Sequence, residues 1–119
     1  KIKMMGSEPD LNKVLKNAKA ILIPSDREGS PKILFEALYC KIPVLSTKVG
    51  VMPELLSSNC LCEPDNESFQ YMLENKLKDI DSIHQNNFDL YELVKSKFTL
   101  KQQCSEVMRV YQALLSKAS

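Results

Sequence analysis

Two glutamates eight positions apart, Glu28 and Glu36, flank a stretch of sequence that could bind a phosphorylated polyol. They belong to PSDREGSPKILFEAL, residues 24–38, where an apolar run ends at Pro24 and a polar loop leads into a helix-forming run. A carboxylate accepts hydrogen bonds from hydroxyl groups, so each glutamate could hold a polyol. The residues between the two glutamates would then have to hold the phosphate.

These intervening residues predict an anion site at the start of a helix. Pro31 suits the first helical turn, where its missing N–H costs nothing. The first helical amides, at Lys32 and Ile33, have no acceptor within the helix and carry the positive end of its dipole, which favours a phosphate. Gly29 lets the backbone approach the ligand closely. The stretch could therefore grip a diphosphate in the middle and a polyol at each end.

Glu36 shares a narrow polar stripe of this helix with Lys32. At about 100° per residue, apolar residues cover most of the remaining circumference, so we expect the helix to be buried on two sides. Glu36 lies one turn, about 6 Å, beyond Lys32, an offset that lets one group hold a phosphate and the other a hydroxyl pair. A plainer interpretation is equally open at this point. Lys32 and Glu36 would then form a solvated pair worth about 0.2–0.5 kcal/mol, and Glu28 would be an ordinary loop carboxylate.

Strands that alternate with helices must position these groups. Short apolar runs predict four strands, at residues 2–5, 20–23, 43–47 and 60–62, with helices between them. From residue 65 the pattern is mainly helical, with Asp65 or Asn66 as one N-cap and Thr99 as another. The sequence therefore predicts a single α/β domain over residues 1–119, with a parallel, Rossmann-like sheet of about four strands in 1–64 and a helical tail in 65–119. Ligands of such sheets collect at the carboxyl ends of the strands, where the loop 25–30 lies.

Size and composition exclude several classes of function. The 119 residues carry a formal net charge of +1 with the two signs interspersed and contain no Trp, so the basic face and aromatic platforms of a nucleic-acid binder are missing. No apolar stretch approaches the ~20 residues that span a bilayer, and the N-terminus shows no signal-peptide pattern. We therefore expect a soluble, cytoplasmic protein with no nucleic-acid partner and no transmembrane segment.

The cysteines do not form a metal site in the sequence. Cys40 and Cys104 stand alone in helical patterns, and Cys60 and Cys62 form a C-x-C with no second pair at zinc-ligand spacing. We interpret all four as buried, reduced thiols, which suits a reducing compartment.

The sequence resembles the C-terminal nucleotide-sugar-binding domain of the retaining glycosyltransferases with the GT-B fold, the large family called glycosyl transferases group 1. The resemblance runs through MMGSEPDLNKVLKNAKAILIPSDREGSPKILFEALYCKIPVLSTKVGVMPELL and covers residues 1 to about 64. It follows the family's order of a strand ending in Gly, a helix, a strand ending Pro-Ser, Glu-Gly, and a second Glu eight residues after the first. Ala, Pro-Val, Gly and Pro-Glu then follow in the family's order.

The resemblance implies roles for the residues of the loop and helix. In the family the first glutamate, here Glu28, contacts hydroxyls of the transferred sugar, which makes Glu28 the expected catalytic residue. The second, here Glu36, takes the ribose hydroxyls of the nucleotide. The backbone between them, which holds the sugar and the diphosphate, maps to Gly29, Ser30, Pro31, Lys32 and Ile33. The resemblance thus implies transfer of a hexosyl-type sugar from a nucleotide-diphospho-sugar with retention of configuration, no cofactor and no obligatory metal.

The sequence departs from the family pattern at two positions and covers only part of it. Ser30 replaces the aromatic or bulky residue common after Glu-Gly, and Val51 stands where a second glycine is usual after Gly50. A full transferase of this type also has an N-terminal acceptor domain and two earlier strands that bring basic residues to the diphosphate. We therefore expect a fragment that is inactive alone.

The strand predicted at residues 2–5 poses a pairing problem. In the parent strand order, 3-2-1-4-5-6, it would be separated from the strand at 20–23 by the two strands that this sequence lacks. An unpaired strand beside an open edge invites pairing with another chain. We expect residues 2–5 to move beside 20–23 through a right-handed crossover, or to pair across a dimer through the exposed sheet edge.

Two other classes of protein fit parts of the sequence. A receiver-like regulatory domain needs an acidic cluster that holds Mg²⁺, whereas Glu8, Asp10 and Asp26 each lie beyond a strand without converging. A degenerate transferase could keep the fold only to assemble with another subunit. His84 lies in a polar stretch that we expect to be a solvated loop, and Ser25 has no Ser-His-Asp partners, so hydrolysis is not expected.

Overall fold

The computed structural model describes residues 3–7 and 10–118, which form an α/β structure around a parallel sheet. Three short apolar runs become its strands, β1 at Ile21–Ile23, β2 at Val44–Thr47 and β3 at Leu61–Cys62. They lie in the order β1-β2-β3, with Ile21 opposite Val44 and Ser46 opposite Leu61. Each connection between parallel neighbours contains a helix, as such crossovers usually do. The predicted fold class and the order of these three strands are confirmed.

The helices surround this sheet and make up the rest of the described chain. They are α1 Leu11–Leu15, α2 Lys32–Tyr39, α3 Met52–Leu55, α4 Asn66–Lys76, α5 Ile80–Asn86, α6 Phe88–Lys97 and α7 Leu100–Ala118. Short 3₁₀ helices occupy Ser58–Cys60 and Leu77–Asp79. Two predicted caps are present, since Asp65 accepts a hydrogen bond from the Ser68 amide at 2.8 Å and Thr99 accepts one from the Gln102 amide at 3.2 Å.

The core lies where α2 packs against the central strand and against α6. Leu34, Ala37 and Leu38 of α2 are fully buried, as the expected burial of this helix on two sides requires. All four residues of β2 are buried, which is typical of a parallel strand covered on both faces. Tyr91 and Val94 bring α6 into the same cluster. The helix that carries Glu36 is therefore held rigidly against the sheet.

The strand predicted at residues 2–5 is not present in the described residues, so the sheet described has three strands rather than about four. Residues 3–5 adopt no strand, and Ile2 lies outside the described residues. The predicted pairing with 20–23 is therefore wrong for residues 3–5. These residues also form no strand that could pair with a second copy of the chain. Met4 is 90% exposed, so this short run packs on no apolar surface that would offset the cost of ordering it.

Two expectations about single residues also need correction. The polar stretch around His84 is helix α5 rather than a loop, anchored by the buried Ile83. His84 is exposed, as expected, and its Nδ1 lies 3.3 Å from the Tyr91 hydroxyl. Cys40 and Cys104 are exposed rather than buried, because Cys40 follows the end of α2 and α7 buries none of its side chains.

Helix α7 projects from the rest of the structure. Its exposed apolar side chains are Leu100, Val107, Met108, Val110, Tyr111, Leu114 and Leu115. The longest dimension of the structure is 62 Å, against 30 and 29 Å for the others. Within residues 3–7 and 10–118, no helix combines the length and apolar character needed to cross a membrane.

Candidate functional site

The first predicted glutamate lies in the loop at the carboxyl end of β1. After Ile23 the chain leaves the sheet at Pro24 and runs without regular structure to Pro31. Glu28 is half-buried in this loop, and the Ser25 hydroxyl lies 2.7 Å from its Oε1. The loop stands where parallel sheets bind their ligands. Glu28 is thus fixed by an internal bond, unlike an ordinary solvated loop carboxylate.

The start of α2 has the geometry of an anion site. Pro31 is extended, with φ −69° and ψ 130°, and no side chain caps the helix. The first amide to find an acceptor is that of Leu34, which donates to the Pro31 carbonyl at 3.1 Å. The amides of Lys32 and Ile33 have no acceptor among the described residues, so they are available to an anion.

The second predicted glutamate lies on the polar stripe of α2, as expected. Lys32 is exposed and Glu36 is half-buried one turn further on. They do not pair with each other. Within the described residues the ion pairs are Lys13–Asp10, Lys41–Glu92, Lys48–Glu63 and Arg109–Glu106. The structure therefore shows no solvated ion pair between Lys32 and Glu36.

A cavity of about 630 Å³ opens beside Glu36. Its walls come from the loop at residues 24–31, here named the site loop, from α2 and from the junction between α6 and α7. The lining residues that matter for the site are Ser30, Lys32, Phe35, Glu36, Val51 and Phe98. The Phe35 and Phe98 ring centroids lie 5.1 Å apart, which packs the turn between α6 and α7 against α2. This contact was missed in the sequence, because it depends on tertiary packing alone.

The loop that follows β2 contacts the backbone of the site loop. Gly50 has φ +54°, and a Cβ at this position would lie 2.6 Å from the Glu28 carbonyl oxygen. The Val51 amide donates to the Gly29 carbonyl at 2.9 Å. Gly29 itself differs, because a Cβ there would meet nothing within 4 Å. A glycine is therefore required at position 50, because a side chain there would clash with the site loop. At Gly29 the space that a side chain would occupy is open.

Comparison with known proteins identifies the family. The sequence profile of the family Glycosyl transferases group 1 matches residues 1–88. The chain belongs to this family. The match reaches beyond the first 64 residues and includes all three strands, both glutamates and helix α5. No match was found among curated proteins.

A solved structure shows the same fold. The sucrose-phosphate synthase from Thermosynechococcus elongatus superposes with a TM-score of 0.78 at 20% sequence identity, over 92% of this chain and 28% of that chain. At this identity the likeness concerns the fold alone, which is that of a GT-B glycosyltransferase domain. The chain thus spans about a quarter of the length of that synthase.

The structure explains how this member of the glycosyl transferases group 1 family accommodates its departure at Val51. Gly50 supplies the left-handed conformation that the turn requires, and the next residue is half-buried with its amide bonded to Gly29. Position 51 therefore needs a backbone N–H, which valine supplies as well as glycine does. Ser30 is exposed and lines the cavity with a small side chain.

The four cysteines divide into a buried pair and an exposed pair. Within the described residues no three His, Cys, Asp or Glu side chains are grouped so as to hold a metal ion, and Glu8 lies outside those residues. Cys60 and Cys62 are buried, as expected. Burial raises the pKa of the Cys62 thiol, and the neighbouring Asp65 and Glu63 raise it further. Cys62 thus keeps its proton at neutral pH, as a core thiol does.

Proposed function

We propose that this chain is the donor-binding part of a retaining glycosyltransferase that uses a nucleotide-diphospho-sugar. One observation carries the proposal: Glu28 and Glu36 stand on either side of a helix start whose first amides have no acceptor. A diphosphate is stabilised at such a helix start, and carboxylates hold hydroxyl groups on either side. Membership of the glycosyl transferases group 1 family supports sugar transfer in general.

Each part of the donor has a place in this proposal. The diphosphate lies against the backbone of Gly29 to Ile33, where the bare α-carbon of Gly29 allows close approach. Glu36 accepts hydrogen bonds from the ribose diol, and the adjoining cavity gives the nucleoside room. Glu28 accepts hydrogen bonds from hydroxyls of the transferred sugar. Lys32, exposed on the same stripe, adds positive charge near the diphosphate.

The proposed reaction breaks the bond between the anomeric carbon and the phosphate oxygen. The nucleoside diphosphate leaves with the bonding electron pair, and a hydroxyl of the acceptor bonds to the same face of the sugar and passes its proton to an oxygen of the leaving phosphate. Negative charge develops on the leaving phosphate, where the helix amides stabilise it. No cofactor or obligatory metal takes part in this proposal. A cytoplasmic setting, in which thiols stay reduced, suits the four free cysteines.

We expect residues 1–119 alone to bind nucleoside diphosphate weakly and to transfer no sugar. The helix start is open to solvent, and an exposed charge interaction in water is worth only about 1 kcal/mol. A facing acceptor domain would exclude water and raise this value. Calorimetric titration of residues 1–119 checks the expectation, and a dissociation constant in the low micromolar range would contradict it.

The proposal is tested with the full-length protein and a panel of nucleotide sugars. Release of nucleoside diphosphate measures transfer, and nuclear magnetic resonance of the product identifies its anomeric configuration. We expect turnover of at least one donor with retention, and a lower but measurable rate of that turnover in Glu28→Ala but not in Glu74→Ala, an exposed control on α4. An inverted product would refute the retaining assignment. Absence of both turnover and nucleotide binding would favour the degenerate, assembly-only alternative.

A further inference from the structure

The side chain of Glu28 is held by Ser25. The Ser25 hydroxyl oxygen lies 2.7 Å from Glu28 Oε1, and both residues are half-buried at the end of β1. An ionised carboxylate only accepts hydrogen bonds, so the hydroxyl is the donor. Oε1 is thereby engaged within the loop. Oε2 has no hydrogen-bond partner among the described residues and is the oxygen left for a ligand.

Ser25 is itself anchored to the sheet. Thr47 Oγ1, at the buried end of β2, donates a hydrogen bond to the Ser25 carbonyl oxygen at 2.6 Å. Because β2 is the central strand, this bond fixes the Ser25 backbone relative to the sheet. A continuous path of two hydrogen bonds therefore joins a buried strand to the carboxylate of Glu28.

We infer that Ser25 is a positioning residue, whose hydroxyl holds the Glu28 carboxylate so that Oε2 accepts a hydrogen bond from the transferred sugar. The inference rests on the proposed function, since it concerns the same donor site. A glutamate side chain has three rotatable bonds, and a loop places few limits on them, so the carboxylate would sample other orientations without this bond. Small displacements of a reacting group lower rates much more than they lower binding.

The test compares two variants of Ser25 with a matched control in the full-length protein. Ser46→Ala is the control, because the buried Ser46 hydroxyl bonds the backbone carbonyls of Thr47 at 3.0 Å and Ile23 at 3.2 Å without touching the side chain of Ser25 or Glu28. We expect Ser25→Ala to lower kcat about 10- to 100-fold. The KM for the donor and the Kd for nucleoside diphosphate should stay within about twofold of the parent values. Ser25→Thr, which keeps the hydroxyl, should restore most of kcat, and Ser46→Ala should leave kcat unchanged.

A double-mutant cycle makes the test specific to Glu28. If Ser25 acts through that carboxylate, Ser25→Ala should have no further effect on kcat in a Glu28→Ala background. Equal losses in both backgrounds, an unchanged kcat in Ser25→Ala, or a loss that Ser46→Ala shares would overturn the positioning role while the proposed function stands. A parent protein that neither transfers sugar nor binds nucleoside diphosphate would overturn both.

Discussion

The α-carbon of Gly50 lies against the backbone carbonyl of Gly29, so closely that a Cβ at Gly50 would overlap the carbonyl oxygen. The loop that follows β2 and the loop that follows β1 thus touch through their backbones. The Val51 amide completes the contact by donating to the same carbonyl at 2.9 Å. The predicted anion site is therefore supported by the loops that follow two neighbouring strands, although its expected ligand contacts come from one loop and one helix.

This contact predicts opposite outcomes for two glycine substitutions. Gly50→Ala should destabilise the protein by at least about 2 kcal/mol, because the residue has a positive φ and the added Cβ strikes backbone. Gly29→Ala should leave the stability nearly unchanged, because its Cβ points into open space, but should weaken nucleoside diphosphate binding by blocking close approach. Chemical denaturation and calorimetric titration of the full-length variants check the pair. Similar destabilisation by both would contradict the packing argument.

Glu36→Ala should weaken nucleoside diphosphate binding by roughly 1.5 to 3 kcal/mol in the full-length protein. The substitution removes a charged acceptor from the ribose diol, and hydrogen bonds to charged groups fall in this range. Glu74→Ala, on the exposed face of α4, serves as the control for a lost negative charge. Titration with nucleoside diphosphate measures the change. Equal affinity of Glu36→Ala and the parent would show that Glu36 does not bind the ribose hydroxyls.

Glu28→Ala should lower the rate of transfer more than it lowers nucleotide affinity. Its proposed partner is the transferred sugar, which nucleoside diphosphate lacks, so binding of the nucleotide alone should change little. The comparison needs kcat for a complete donor and Kd for the nucleoside diphosphate, measured on the same preparation. A loss of nucleotide affinity as large as that of Glu36→Ala would show that the two glutamates do not divide the ligand as proposed.

The N-cap of α4 should make the stability depend on pH in the acid range. The amide of Ser68 and its hydroxyl bond the Asp65 carboxylate and hold its pKa below the usual range. A lowered pKa in the folded state gives stability that is present above the unfolded value, about 3.9, and is lost as the pH falls through the folded pKa. Asp65→Asn keeps an oxygen that can cap the helix, but the amide does not titrate as the carboxylate does. The melting temperature of Asp65→Asn should fall less on acidification than that of the parent. If the melting temperatures of both proteins fell in parallel with pH, Asp65 would not be the source of the pH dependence.

The part of the site that the sequence predicted depends on local rules, and the part that it missed depends on tertiary contacts. Pro31 and the apolar run of α2 mark a helix start wherever they occur, so the anion site and the place of Glu36 could be read from the residues. The contact between Gly50 and Gly29 joins residues far apart in sequence, and the cavity depends on Phe98 meeting Phe35. Neither leaves a periodic signal. The strand predicted at residues 2–5 was wrong for residues 3–5 because an apolar run becomes a strand only when a neighbour pairs with it.

The projection of α7 has a consequence for the cooperativity of unfolding in residues 1–119. None of the 19 residues of α7 is buried, so tertiary packing adds little to the stability of this helix. Most helical stability in proteins comes from tertiary packing, so a helix without it is only marginally stable in water and melts over a broad range of temperature. The far-ultraviolet circular dichroism should therefore decline gradually before the core unfolds, whereas the near-ultraviolet signal of the buried Tyr91 should change in one sharp step. A van't Hoff enthalpy taken from the far-ultraviolet curve would then fall below the calorimetric enthalpy of the same sample.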